Sequence, residues 1–405
     1  MTRRELLFVS TRFLFPVDSG GKIRTTQILR GLKGGAFRTV LVSPATAELA
    51  EHHRQSLEEV CDEFHWWPQE RRGRAFYYTR LRHAFDRLPI PVRTDRQPQG
   101  MALVARLLER KPAVAVFDFA HAAVLAPERL PCPSVVFTHN VEAEIFERHL
   151  RVARNGPERL FWRGQHRKMR AFEAEALKRF DVVVAVADRD AERFATDYGV
   201  ENTCVIPTGV DLDFFGYAPP ESSRDVVFCG SMDWLANQEA VAYFMDDVWP
   251  LVVERVPDAR MTVVGRAPPR KLVAEAARRG LRWTFTDFVD DVRKFVQGAG
   301  VSVLPLRVGG GTRLKVYEAM AMGTPLVSTA IGVEGLPLTP GDHYVLGDDA
   351  EQMAHAVTDL LGDRERRYAL SRRAREYVES HFSYRVAAQV FEAACELAAA
   401  QQRAA

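Results

Sequence analysis

A triplet of glycines followed by charged residues is the part of this sequence best suited to binding an anion. Residues 309–311 come after an apolar run that ends at Leu304, and Thr312 is placed to cap the helix that follows. Backbone N–H groups, the positive end of a helix and nearby cations together form a site for a diphosphate. The candidate binding residues of this segment are Gly310, Gly311, Thr312, Arg313, Lys315 and Glu318. The alternative is a glycine-rich loop before a solvated, basic helix start.

Glu318 extends this site from phosphate to sugar. It lies about one and a half turns inside the predicted helix, which Gly323 ends. At that depth a carboxylate can accept hydrogen bonds from vicinal hydroxyls such as those of a ribose. The segment therefore predicts contacts to both parts of a nucleoside diphosphate.

Two further loops carry candidate residues. Gly20 and Gly21 open a predicted helix after the first strand, where an anion is favoured, although two glycines also form ordinary turns. His139 and Asn140 follow the run 134–138, and a histidine there can hydrogen-bond a sugar hydroxyl or phosphate, or simply cap its own loop. No G-x-G-x-x-G occurs at the first loop and no P-loop lysine pattern occurs anywhere, which disfavours nicotinamide enzymes and kinases.

The elements that must position these loops are predicted from hydrophobic periodicity. Short apolar runs alternate with amphipathic stretches of helical length. The predicted strands are 5–10, 39–43, 114–117, 134–138, 182–186, 203–206, 226–229, 261–264, 284–285, 301–304 and 326–328. Because these runs lack the alternation of a half-exposed strand and are separated by helices, they predict parallel sheets covered on both faces. Such sheets bind ligands beyond the carboxyl ends of their strands, where all three loops lie.

The alternation pauses at 206–223, where IPTGVDLDFFGYAPPESS clusters Pro, Gly, Asp and Ser without periodicity. This stretch predicts a linker between two α/β domains, 1–205 and 224–380. The remaining 381–405 predict a C-terminal helix that can cross back to the first domain.

The composition is that of an ordinary globular protein. The 405 residues carry 55 Lys+Arg and 53 Asp+Glu, so no overall positive field recruits nucleic acid. The five cysteines show no C-x-x-C pair, which indicates reduced thiols. The first apolar run is too short for a secretory signal, and no run approaches the roughly 18 residues of a membrane span. We therefore expect a cytoplasmic protein.

Positive charge is concentrated in the first domain, which has 33 basic and 26 acidic residues over 1–205. Part of the excess lies at 65–85, HWWPQERRGRAFYYTRLRHAF, where arginines interleave with aromatic residues. Such a segment suits an anionic, partly apolar surface and would permit peripheral association at the inner membrane face. The alternative is a solvated helix face with buried aromatic rings.

The segment 309–327, GGGTRLKVYEAMAMGTPLV, resembles the nucleotide-sugar motif of retaining glycosyltransferases of family 4, also called group 1. The segments IPTGVDLDFF, VVFCGSMDWLANQEAVAYF, TVVGRAPPRKL and FTDFVDDVRKF are similar to that family's blocks in the same order. The resemblance spans essentially the whole chain and is strongest over 205–333. Within the family, the chain is most similar to sugar transferases associated with PEP-CTERM and exosortase exopolysaccharide systems.

The resemblance implies the GT-B fold, an α/β fold of two doubly wound Rossmann-like domains facing across a cleft. It also implies a hexosyl-type transferase (EC 2.4) that moves a sugar from a nucleoside-diphosphate donor to a glycan or lipid-linked acceptor, in exopolysaccharide or cell-surface glycan synthesis. Retention through same-face attack is expected, with no cofactor and no metal. Asp211 and Asp213 form a D-x-D pair, but in the linker, where a turn explains them better.

By the same resemblance, Glu318 matches the second Glu of the family's motif of two glutamates separated by seven residues, and it would hold the ribose. The first Glu falls on Gly310, so a carboxylate often assigned to the donor sugar is absent. The backbone around Phe288 and Val289 resembles the segment that contacts the edge of the base.

Most family members place an Arg and a Lys after the first strand of the second domain to bind the diphosphate. Here Ser231 and Asn237 lie near those places. Charge compensation must come from elsewhere, and Arg313 and Lys315 are the predicted replacements.

In the first domain, Gly20, Gly21 and His139 match the family's glycine loop and active-site histidine. Two other functions remain open. One is a GT-B nucleotide-sugar epimerase or phosphorylase, although an epimerase would need several acid and base side chains, of which only His139 is assigned. A non-catalytic nucleotide-sugar-binding subunit is favoured by Gly310 and Ser231, which replace charged family residues.

Overall fold

The computed structural model describes residues 3–17, 19–69, 82–153, 155–307 and 314–401. The chain divides into two compact units. The first comprises Met1–Gly209 together with Tyr384–Ala405, and the second comprises Val210–Ser383. In the described part of the chain, no helix is both long enough and apolar enough to cross a membrane.

The first unit is built on a seven-stranded parallel sheet. Its strands are β1 (Arg4–Ser10), β2 (Phe37–Ala45), β3 (Glu63–Pro68), β4 (Val114–Asp118), β5 (Ser134–Phe137), β6 (Val182–Ala185) and β7 (Thr203–Val205), in the spatial order β3-β2-β1-β4-β5-β6-β7. Along β1, Leu6 and Phe8 pack into the core on one face, and Leu7 and Val9 pack into the core on the other. Burial on both faces explains why the middle of β1 is a continuous apolar run.

Helices cover this sheet. They are α1 (Gly20–Leu32), α2 (Ala47–His52), α3 (Arg54–Val60), α4 (Ile90–Asp95), α5 (Pro98–Leu108), α6 (Glu142–Val152), α7 (Gly156–Leu177) and α8 (Asp188–Tyr198). Short 3-10 helices lie at His83–Phe85 and Ala120–Leu125. The Asn155 side chain caps α7 by accepting a hydrogen bond from the N–H of Glu158.

The second unit repeats this architecture on a six-stranded parallel sheet. Its strands are β8 (Asp225–Cys229), β9 (Arg260–Val264), β10 (Trp283–Phe285), β11 (Val301–Leu304), β12 (Leu326–Ser328) and β13 (Val345–Leu346), in the order β10-β9-β8-β11-β12-β13. Its helices are α9 (Leu235–Tyr243), α10 (Trp249–Arg255), α11 (Arg270–Arg278), α12 (Arg293–Val296), α13 (Leu314–Ala321), α14 (Ala350–Gly362) and α15 (Arg364–His381). The segment between α9 and α10, Phe244–Val248, is a π-helix, and Ile331–Val333 is a 3-10 helix.

The last helix, α16 (Tyr384–Gln401), belongs to the first unit. Phe391 and Cys395 are fully buried in the core on one face of the first sheet, together with Phe8. The helix lies close against α1, because a Cβ on Gly31 would come 2.3 Å from the Cβ of Ala388. Glycine at position 31 therefore permits this helix crossing.

The parallel α/β architecture predicted from the sequence is confirmed, and each predicted strand is present with ends that differ by at most two residues. Two strands were not predicted, β3 and the two-residue β13. Strand β3 lies at the start of the basic aromatic segment, with Trp66 exposed and Trp67 buried. Glu63 and His65 interrupt this edge strand, so it does not form the kind of apolar run from which the other strands were predicted.

Candidate functional site

Each sheet has a place where the order of its strands reverses. In the first unit this place lies between β1 and β4, and in the second it lies between β8 and β11. Open parallel sheets bind ligands beyond the carboxyl ends of the strands at such a point. The loops after β1, β8 and β11 carry candidate residues from the sequence analysis. The fold therefore places these loops at the carboxyl edges of the two sheets, as expected.

Asp118, the last residue of β4, is the centre of a buried polar network in the first unit. Its carboxylate accepts hydrogen bonds from Ser10 Oγ (3.0 Å), Thr25 Oγ1 (3.1 Å) and His139 Nε2 (2.8 Å). The network ties together β1, α1, β4 and the loop after β5. Sequence reasoning found only His139 in this group, because the partners lie 21 to 108 residues from Asp118 and form no local motif.

The imidazole of His139 is buried and fixed in orientation. Since a carboxylate only accepts, Nε2 carries the proton that bonds Asp118, and Nδ1 has no hydrogen-bond partner among the described residues. Burial lowers the pKa of His139 despite the opposing charge of Asp118, so the ring is neutral at pH 7. Only 1% of the side chain is exposed. The catalytic contact assigned to His139 therefore stays a prediction, since in this structure the ring offers no nitrogen to the surface.

Phe119 covers His139. The two rings stack with centroids 3.9 Å apart and planes 16° from parallel, and Phe119 is itself half-buried. Its φ of +69° is strained for a non-glycine residue, a condition that clusters at functional sites. A Cβ on Gly21 would come 2.6 Å from Phe119 Cζ, whereas nothing lies within 4 Å of the corresponding position on Gly20. Gly21 is thus required by packing, and Gly20 leaves open space at the start of α1.

A second buried cluster supports the loop that carries His139. His121 lies 3.4 Å from carboxylate oxygens of both Asp95 and Glu142. Burial opposes protonation of His121, but these two carboxylates outweigh it and raise its pKa to about 10. Glu173 accepts hydrogen bonds from the N–H groups of Glu142 and Ala143 at the start of α6, and burial raises its pKa to about 7.

In the second unit, the turn after β8 packs tightly against the turn after β9. A Cβ on Gly265 would come 2.0 Å from the carbonyl oxygen of Gly230, so only glycine fits there. Ser231 Oγ accepts a hydrogen bond from Arg266 Nε (2.9 Å) and donates one to Asp233 (2.7 Å). Arg266 also forms an ion pair with Asp233 at 2.8 Å. The predicted residue Ser231 therefore lies beside a cation, Arg266, that sequence analysis did not identify.

Lys315, on the first turn of α13, reaches the same turn. Its Nζ donates to Asn237 Oδ1 (3.1 Å) and lies 5.1 Å from the ring centroid of Phe228. A Cβ on Gly230 would be 3.2 Å from this Nζ. The structure thus brings Lys315 and Ser231 together at the carboxyl end of β8, where a diphosphate site was predicted.

Glu318 lies one turn further along α13 than Lys315. Burial raises its pKa to about 7, and the charge of Lys315 only partly offsets this. Both side chains line a cavity of about 20 Å³ that Cys229 and Met322 also line. That volume holds about one water molecule and excludes a ribose, so only the exposed part of the half-buried carboxylate is left for a sugar.

Phe288 and Val289, predicted to lie near the base, are in the loop after β10. The Phe288 side chain is 73% exposed, and its N–H donates to Asp287 Oδ1 (2.8 Å). Asp287 also accepts from the N–H of Ala267, so it links the loops after β9 and β10. Val289 packs against a small apolar cluster that contains Met322. An exposed ring at the edge of the sheet is available for stacking on a flat ligand.

Four predicted binding residues, Gly310, Gly311, Thr312 and Arg313, lie outside the described residues, as do residues 70–81 of the basic aromatic segment. At the start of that segment Trp67 is buried, and at its end Phe85 is 93% exposed. Within the described ranges, no group of three or more His, Cys, Asp and Glu side chains is arranged to hold a metal ion.

Comparisons with known proteins identify the family of both units. Residues 19–214 match the family model described as Glycosyltransferase Family 4, and residues 223–363 match the one described as Glycosyl transferases group 1. A phosphatidyl-myo-inositol mannosyltransferase of Mycolicibacterium smegmatis is 31% identical over 216 residues, which cover 51% of this chain and 55% of the relative. The match thus spans about half the length of the mycobacterial relatives.

Longer matches agree with the family models. The lipopolysaccharide core biosynthesis mannosyltransferase LpsB of Rhizobium meliloti is 26% identical over 336 residues, covering 76% of this chain and 91% of the relative. The crystal structure of Anabaena Alr3699/HepE in complex with UDP superposes with a TM-score of 0.61 at 14% identity, covering 96% of this chain and 98% of that one. This likeness establishes the fold. The chain belongs to the group 1, family 4 glycosyltransferases and has their GT-B fold of two Rossmann-like domains.

Proposed function

We propose that this protein transfers a hexosyl residue from a nucleoside-diphosphate sugar to a glycan or lipid-linked acceptor. The observation that carries the proposal is the pair Lys315 and Glu318 on adjacent turns of α13, at the carboxyl edge of the second sheet. A cation beside the Gly230 turn suits a diphosphate, and a carboxylate one turn away suits the hydroxyls of a ribose. The two groups match neighbouring parts of one ligand.

Lys315 also suits the chemistry of transfer. When the bond between the anomeric carbon and the β-phosphate oxygen breaks, its electron pair goes to the phosphate, where negative charge accumulates. A cation already fixed at that place stabilises the transition state more than the ground state. Arg313 and the amides of Gly310 to Thr312 are proposed to complete this stabilisation.

We propose that transfer proceeds with retention. The acceptor oxygen bonds to the anomeric carbon on the face that the phosphate leaves, and its proton passes to the departing phosphate oxygen. This route needs no enzymic nucleophile, in keeping with the burial of His139 beneath Phe119. It also needs no metal where side-chain cations balance the leaving group. Turnover is therefore expected to be unchanged by EDTA, and its loss would contradict this part of the proposal.

The acceptor is proposed to be a cell-surface glycan or its lipid-linked precursor. Two relatives support this class by their names, a phosphatidyl-myo-inositol mannosyltransferase and a lipopolysaccharide core mannosyltransferase. Mannose is accordingly the first donor sugar to test. A role in exopolysaccharide synthesis and peripheral association with the inner membrane face belong to the same proposal.

The test is an assay of purified protein with a panel of UDP- and GDP-sugars, with and without membrane glycolipid extract. Release of the nucleoside diphosphate that depends on acceptor, with a new glycolipid seen by mass spectrometry, supports transfer. Release without a glycosidic product indicates an epimerase instead. Binding without release indicates a sugar-binding subunit, the alternative that the buried His139 favours most.

A further inference from the structure

Asn237 is a buried amide whose two ends contact different parts of the second-unit site. It is the third residue of α9 and is only 3% exposed. Its Oδ1 accepts from Lys315 Nζ (3.1 Å), and its Nδ2 donates to the carbonyl oxygen of Ser231 (2.8 Å). One side chain therefore links the cation on α13 to the turn after β8.

The surroundings fix this link in place. A Cβ on Gly230 would come 2.8 Å from Asn237 Nδ2 and 3.2 Å from Lys315 Nζ, so the turn, the amide and the ammonium pack without spare room. The Lys315 ammonium also lies over the ring of Phe228. A flexible lysine is thereby confined to the carboxyl end of β8, and less conformational entropy is lost when it engages a ligand.

The chemical type of the side chain is as informative as its position. An amide oxygen orients an ammonium without cancelling its charge, whereas a carboxylate at this place would neutralise it. The amide also supplies the donor that Ser231 needs, which a carboxylate lacks. Asparagine is therefore the residue type that both holds the turn and leaves the positive charge of Lys315 to act on an anion.

We propose that Asn237 is the positioning residue of the diphosphate site, acting through Lys315. This inference rests on the proposed function, since it assumes that a nucleoside diphosphate is the ligand of Lys315. It adds that the affinity gained from Lys315 depends on its hydrogen bond to Asn237 and on the turn that the same amide secures.

The test is a double-mutant cycle in the full chain, measured by calorimetry with UDP and GDP. Asn237→Ala is made in the wild type and in Lys315→Ala. We expect Asn237→Ala to weaken binding of the preferred nucleoside diphosphate about tenfold in the wild type and less than twofold in Lys315→Ala. The affinity for the corresponding nucleoside should change little, because it has no phosphate. Asn237→Asp keeps the shape of the side chain and should weaken diphosphate binding at least as much as Asn237→Ala.

Gln238 provides a matched control. Its Nε2 donates to the carbonyl oxygen of Met232 (2.7 Å), so Gln238→Ala removes an equivalent amide-to-turn bond one residue away. This variant should keep its affinity for the diphosphate. This inference is wrong, and the proposed function stands, if Asn237→Ala weakens diphosphate binding equally in both backgrounds. The same holds if Asn237→Ala weakens binding of the nucleoside as much as binding of the diphosphate. A wild-type chain that binds neither UDP nor GDP would overturn the proposed function and the inference with it.

Discussion

Glu318→Gln should make the protein more stable and a weaker nucleotide binder. The carboxylate is half-buried and accepts no hydrogen bond from the described residues, so burial opposes its ionisation and the charge of Lys315 offsets this only in part. The amide has almost the same shape and no charge. It removes the cost of ionisation and, at the same time, one of the two carboxylate oxygens proposed to bind the ribose hydroxyls.

The magnitude follows from the pKa of Glu318, which burial raises from its ordinary 4.5 to about 7. A raised carboxylate pKa means that the folded state loses stability as pH rises from 4.5 through 7. At about 1.4 kcal/mol per pKa unit, the full cost above pH 7 is about 3.5 kcal/mol at most. For a unit of this size that corresponds to a rise in Tm of roughly 7 to 14 °C at most on substitution. If only the ionised carboxylate binds the ribose, the wild-type Kd for nucleotide at pH 6 should be about tenfold that at pH 8.

Differential scanning fluorimetry at pH 5 and pH 8, with and without UDP or GDP, measures both effects. Glu318→Gln should raise Tm clearly at pH 8 and little at pH 5, and the added nucleotide should stabilise it less than it stabilises the wild type. Glu334→Gln, at an exposed position, is the matched control. If Glu318→Gln binds nucleotide as tightly as the wild type, the ribose role is wrong. If Tm does not rise at pH 8, the argument from burial is wrong.

Three further predictions concern the first unit. Phe119→Ala should uncover His139, so diethylpyrocarbonate should modify His139 in the variant and not in the wild type; equal modification of both would show that Phe119 does not shield it. Gly21→Ala should lower Tm by several degrees because its Cβ meets the Phe119 ring, whereas Gly20→Ala, with open space, should change Tm little in the same melting experiment. His121→Gln should flatten the dependence of the free energy of unfolding on pH. In the wild type, protonation of the imidazole between two carboxylates stabilises the fold fully below pH 6.5, and this contribution is lost as pH rises through about 10. The free energy of unfolding, measured by denaturation across that range and plotted against pH, should therefore have a different slope in the two proteins.

The strands and the edges that hold the site could be predicted because they depend on local sequence. A parallel strand that is buried on both faces, such as β4 or β11, is mostly apolar, and ligands bind beyond its carboxyl end. Lys315 and Glu318 are predictable for the same reason, since helical spacing alone places them one turn apart.

The residues that fix the geometry could not be predicted in this way. Asp118 is an ordinary strand end until the fold places Ser10, Thr25 and His139 around it. Asn237 was noted only as a replacement for a charged residue, because its bond to Lys315 joins positions 78 residues apart. Such long-range contacts produce no local pattern in the sequence. The burial of His139 under Phe119 is another contact that could not be predicted for this reason.

The order of synthesis has a consequence for how the first unit completes its structure. Its sheet emerges by Val205, but Phe391 and Cys395 of α16, which fill one face of its core, come almost two hundred residues later. At about 5 to 20 residues per second, the ribosome needs roughly 10 to 40 s to supply them. During that interval α1 and α3 already cover part of this face, but the part that α16 covers stays exposed, so it is a natural binding surface for a chaperone. Synthesis stopped before residue 384 would leave that surface permanently uncovered.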